Sequence, residues 1–142
     1  MDFHLLVRTV HVVAATLVVG GTWGMAAAFR APLDPRTRGA FALRFEWLFW
    51  GAFGVIVATG VGNAGAFGAS LSPADTRWGA AFTYKLGAVV LLGALSMVRT
   101  LVVARRLEAE PASTALLPRL YAWSAALGTV VVVLAEVLAH GG

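Results

Sequence analysis

The stretch "FHLLVRTVHVVAATLVVGGTWGMAAAF" (Phe3–Phe29) decides the fold. It is apolar over more than the roughly 20 residues a helix needs to cross a bilayer. Near its start it also carries His4, Arg8 and His11, spaced i, i+4, i+7, which is one face of a helix over two turns. Three further apolar segments follow, at about Phe41–Phe67, Trp78–Ala104 and Leu120–Ala139. Between them, "RAPLDPRTRG" (Arg30–Gly39) is broken by two prolines. "GASLSPADTR" (Gly68–Arg77) reads as a turn in which Ser72 or Asp75 caps the next helix. "RRLEAEPASTALLP" (Arg105–Pro118) is charged and then broken by proline. The pattern predicts an all-α integral membrane protein, an up-down four-helix bundle forming a single domain over residues 1–142.

Composition supports this reading. Of 142 residues 59% are hydrophobic and 13% charged, against about 25% charged in a soluble domain. Cysteine is absent, which removes disulfides, thiolate metal sites and covalent haem attachment. The net charge of +4 comes almost entirely from arginines beside apolar segments, a pattern of membrane topology rather than of nucleic-acid binding. The first segment is too long for a cleaved leader, carries charge within its apolar run, and has no basic region before it.

Loop charge sets the expected orientation. Arg30, Arg36, Arg38 and Arg44 cluster around the first loop, and Arg105, Arg106 and Arg119 around the third, whereas the second holds Arg77. Positive loops stay in the cytoplasm, so with an even number of spans both termini are expected outside. Trp47, Trp50 and Trp123 then lie near one bilayer boundary and Trp78 near the other, where amphipathic rings anchor.

With this topology the polar residues converge at one depth. His11 lies about 12 Å into the first span and Lys85 about 10 Å into the third, at ~1.5 Å per residue. Glu136 is one turn inside the end of the fourth, and Thr59, Gly60 and Asn63 stand at the end of the second. Ionisable groups in lipid are costly singly and tolerable when they face inward and pair. His11, Lys85 and Glu136 are therefore expected to meet in a functional cavity in the outer half, with Arg8, His4, Tyr84 and His140 around it. Glu136 is the expected charge partner of Arg8 or Lys85. The plainer alternative is that Arg8 and Lys85 snorkel to the headgroups and that His4 and His140 are simply hydrated. At the opposite end, Glu46 is open to pairing with Arg44, Arg99 or a loop arginine, so that these residues read as interfacial charge pairs and anchors, and Gly20-x-x-x-Gly24 reads as a packing motif.

Neutral imidazole ligates copper, zinc or haem iron. His11, His4 and His140 are the candidate metal ligands. For haem b, His11 is the candidate axial ligand, with Lys85 and Arg8 beside the macrocycle. No nucleotide-binding loop, Ser–His–Asp set or His-Glu-x-x-His helix occurs.

"RTVHVVAATLVVGG" resembles the opening helix of the copper-resistance D (CopD) family, in which a histidine, here His11, is followed by a glycine pair, here Gly20 and Gly21. "VATG", ending at Gly60, is similar to the family's Thr-Gly in the second helix. "WGAAFTYKLGAVVLLGAL" is similar to its third, with Trp78, Gly79 and Lys85 in the matching places. The resemblance runs over about Leu6–Leu95 and implies copper uptake or tolerance at the inner membrane. The same plan is similar to HemJ-type protoporphyrinogen oxidases, whose Pro-Arg and Asn-Glu-x-Pro-Thr runs this chain lacks, and to b-type haem bundles. The expected function is thus non-enzymatic handling of copper or a metal cofactor in the periplasmic half. The alternatives are a haem-dependent redox protein and a non-catalytic assembly subunit bound to a membrane or periplasmic protein.

Overall fold

The computed structural model describes residues 2–65, 75–108 and 116–140, and at 62–65, 106–108, 139 and 140 the backbone alone. Four helices run in sequence: α1 (Phe3–Ala28), α2 (Pro35–Gly65), α3 (Arg77–Glu108) and α4 (Leu117–His140). All four are long and apolar enough to cross a membrane, and together they form an all-α membrane bundle. In the most apolar window of α1, 11% of residues are buried, and in those of α2, α3 and α4, 28%, 22% and 28%. Outward-facing side chains such as Val12, Val13, Leu17, Trp47, Leu91 and Val133 are exposed. That surface suits acyl chains and not water. Threonines on it are satisfied within their own helices: Thr9, Thr16, Thr83 and Thr129 each donate to the carbonyl four residues back.

The ends of the helices differ from those expected, for local reasons. α2 begins at Pro35, six residues before Phe41. Proline fits the first helical position, where its missing N–H would be an orphan anyway. Asp34 caps the turn, its Oδ1 accepting from Thr37 N–H at 2.9 Å. The Arg38 guanidinium closes the preceding loop by donating to the carbonyls of Ala31 (2.9 Å) and Leu33 (2.8 Å). α4 likewise starts at Leu117 and keeps Pro118 in its first turn. α3 is capped by Thr76, whose Oγ1 accepts from Gly79 N–H at 3.0 Å, and not by Asp75; Ser72 lies outside the described residues. Since α3 starts at Arg77, residue 76 alone occupies the N-cap position.

The Asp34 cap carries a pH dependence. Hydrogen bonds from the Thr37 side chain and then its backbone hold the Asp34 carboxyl below its ordinary range. A depressed carboxyl stabilises the folded state above its unfolded pKa and loses that contribution as pH falls through the folded value. Asp34→Ala is expected to flatten the acid limb of the bundle's thermal stability profile, and Asp34→Asn to flatten it while keeping the cap.

α1 packs against α2 and α4, α3 packs closely on α4, and α2 and α3 approach less closely. Buried stripes recur at helical spacing: Ala14, Val18, Thr22 and Met25 on α1; Ala42, Phe45, Phe49 and Ala52 on α2; Leu92, Ser96, Arg99 and Val103 on α3; Leu117, Tyr121 and Ser124 on α4. Most lie in the half of the bundle next to the arginine-bearing loops, here the arginine end. Toward the opposite end, where the chain termini lie, His11, Thr59, Gly60 and Lys85 are half-buried.

Close helix approach is carried by a different glycine from the one the spacing suggests. Gly20 and Gly24 face open space. Gly21 lies directly against the Phe45 ring, and a Cβ at Gly128 would come within 3.1 Å of Val19 Cγ2. The α1–α2 and α1–α4 seams thus rest on Gly21 and Gly128.

Candidate functional site

Two polar centres sit at different depths. The first is fully buried at the arginine end and links α2, α3 and α4. Glu46 is 2% exposed and Arg99 and Tyr121 are 0% exposed. Arg99 grips the Glu46 carboxylate in bidentate fashion, Nε to Oε1 at 2.8 Å and Nη2 to Oε2 at 3.0 Å. Tyr121 OH donates to Oε1 at 2.7 Å. The Thr100 hydroxyl bridges Glu46 Oε2 and the Ser96 carbonyl, and accepts from Trp50 Nε1 at 2.9 Å. Arg99 Nη1 reaches Ser96 Oγ at 3.3 Å. The guanidinium lies 4.3 Å from the Phe49 ring centroid and 4.9 Å from that of Tyr121, within cation–π range. A carboxylate offers about four lone-pair positions, and four groups face them, with the single Thr100 proton shared between Glu46 and the Ser96 carbonyl. The network is therefore closed: it holds three helices in register and leaves Glu46 no vacant acceptor for a ligand. Large side chains, Trp50, Phe49 and the Arg99–Glu46 pair, fill the wider α2–α3 seam.

The second centre is open and lies about 20 Å away along α2, between Glu46 and Thr59 at ~1.5 Å per residue. His11 Nδ1 is 2.8 Å from Thr59 Oγ1, a hydrogen bond joining α1 to α2. Gly60 adjoins the ring, where a Cβ would stand 3.5 Å from His11 Cε1. Lys85 of α3 is half-buried. The structure thus brings together His11, Thr59 and Gly60.

Four other expected residues, His4, Arg8, Tyr84 and Glu136, are exposed where His11, Thr59 and Lys85 are half-buried. Arg8 lines a shallow groove with Leu5, Thr9, Val12 and Val13, all from α1. An arginine so close to a helix end reaches headgroup level with its long side chain. Glu136 is exposed on α4. The side chains of His140 and Asn63 lie outside the described residues. Among the described residues no group of three or more His, Cys, Asp and Glu gathers as a metal cage.

The closed network holds residues that spacing did not single out: Tyr121, Thr100, Ser96 and Trp50. Glu46 and Arg99 were visible as intramembrane charges of opposite sign at the same depth. The hydroxyls around them carry no signal of their own, because which helix faces meet is set by packing.

Comparison with known proteins gives one match. A family model described as copper resistance protein D matches residues 39–138, which spans α2, α3 and α4 to within its last turn. α1, with Arg8 and His11, precedes it. That description concerns copper and lends no support to the haem readings, b-type or HemJ-like. No curated protein and no solved structure matches the chain.

Proposed function

The chain belongs to the copper resistance protein D family, and from that premise we propose that it takes copper as cargo at His11, in the half of the bundle away from the arginine-rich loops. The observation that carries this reading is the bond from His11 to Thr59, 2.8 Å across the α1–α2 seam. It holds an imidazole at a fixed place inside an apolar span, and ionisable residues there mark ion or proton pathways by default. The arginine bias of the first and third loops supports an inner-membrane orientation with the His11 half and both termini periplasmic.

The donor set bears on the form of copper. Tetrahedral zinc and tetragonal cupric sites draw three or four nitrogen, oxygen or sulfur donors. Among the described residues no group of three or more His, Cys, Asp and Glu occurs. A single imidazole suits a cuprous ion of low coordination number held weakly and passed on. In this reading Arg8 and Glu136 tune the charge at the mouth, and His4 and His140 are the approach ligands at the ends of α1 and α4.

Elemental analysis after cuprous loading in detergent tests the proposal. The native protein is expected to retain copper, and His11→Ala to bind it at least tenfold more weakly at unchanged thermal stability. Equal retention by both, or none by the native protein, contradicts it. A Soret band in the purified native protein would instead mark haem.

A further inference from the structure

We infer that Thr59 is a positioning residue that fixes His11 in the Nδ1–H tautomer and so leaves Nε2 as the nitrogen that meets the cuprous ion. The argument is a count of protons. Thr59 Oγ1 lies 2.6 Å from the carbonyl oxygen of Val55 and 3.3 Å from that of Ile56. Two oxygens at 2.6 Å need a proton between them, and a carbonyl has none to give. The single hydroxyl proton of Thr59 is therefore committed to its own helix. The contact of Oγ1 with His11 Nδ1 at 2.8 Å then requires the proton to come from the imidazole. A neutral imidazole has one N–H. With that proton on Nδ1, the lone pair that binds a metal is on Nε2.

The arrangement resembles in its physics the way a ligating histidine is oriented through its other nitrogen. Here the orienting acceptor is a threonine hydroxyl already saturated as a donor. Its place in the helix does the work: a hydroxyl bonded to the carbonyl four residues back presents its lone pairs outward, toward α1. Gly60, next in the chain, adds no side chain against Cε1.

This inference rests on the copper reading for what Nε2 meets, and its first readout does not. In ¹⁵N-histidine-labelled, metal-free protein at alkaline pH, long-range ¹H–¹⁵N correlations distinguish the two tautomers, and His11→Gln assigns the signal. The native protein is expected to show a protonated Nδ1 and a bare Nε2 at His11. Thr59→Val removes the acceptor at similar volume and is expected to mix the tautomers and weaken cuprous binding about tenfold. Thr59→Ser keeps the hydroxyl and is expected to restore both. A native His11 protonated at Nε2 overturns the inference, as does a Thr59→Val variant whose tautomer and copper affinity are unchanged. A native protein with the expected tautomer that binds no cuprous ion overturns the Nε2–copper half together with the proposed function, and leaves the proton assignment standing.

Discussion

Arg99→Leu is expected to destabilise the bundle by about 3–5 kcal/mol, the cost of breaking a buried ion pair from one side. The guanidinium is 0% exposed, donates twice to Glu46 and stacks over Phe49 and Tyr121. Its loss strands a carboxylate whose remaining partners are the hydroxyls of Tyr121 and Thr100. It also uncouples α2 from α3 across the seam where their backbones approach least closely. Arg99→Lys is expected to recover only part of the loss, because a point ammonium cannot reproduce the planar fork. The double variant Glu46→Leu/Arg99→Leu is expected to be more stable than either single one, since it leaves no buried charge. Thermal unfolding in detergent compares the native chain with the three single variants and the double one. A single variant as stable as the native chain would mean that the pair contributes nothing to holding the helices together.

Gly21→Ala is expected to cost about 1–3 kcal/mol, as overpacking does in a well-filled core. The added methyl runs into Phe45. That ring is 8% exposed and stands against Phe49 and Tyr121, with centroids at 6.1 Å and 5.9 Å. It cannot swing aside without disturbing the Arg99 network, to which it is itself apposed at 5.9 Å. Gly20→Ala and Gly24→Ala meet open space and are expected to be neutral or to stabilise by up to about 1 kcal/mol, since glycine inside a helix is worse than alanine by roughly that amount. The contrast separates packing from propensity: the same substitution one residue apart changes sign. Unfolding midpoints of the three variants in one detergent decide it.

These two predictions also mark where sequence reading reaches its limit. Four apolar runs of spanning length fix four helices, because hydrocarbon leaves a single chain few other ways to satisfy its backbone. The polar depth argument brought His11 and Thr59 to one level, and they bond. It could not rank Gly20, Gly21 and Gly24, which differ by 100° steps around α1 and so by which neighbour each meets. The sequence leaves Glu46 open to pairing with Arg44, Arg99 or a loop arginine, and the structure selects Arg99. It buries the pair, and Tyr121, Thr100 and Ser96 complete its hydrogen bonds. Helix ends shifted where proline occupies a first turn, as at Pro35 and Pro118, since proline breaks a helix interior and tolerates its start. The family resemblance was legible on the first three helices through His11, Gly60 and Lys85, while the match begins at residue 39 and continues through most of α4 to residue 138.

The closed and open centres divide the labour of the bundle. Rigid packing at the arginine end holds α2, α3 and α4 in register. The same rigidity lets the other end stay half-buried and polar without losing its geometry. His11 is held from α1 against α2.

Copper K-edge X-ray absorption on the cuprous-loaded protein tests the central claim most directly. A low-coordinate cuprous edge with imidazole scattering, lost in His11→Ala and kept in His4→Ala, is the predicted result. Imidazole scattering that persists in His11→Ala, or copper bound without any imidazole in the native protein, would contradict it.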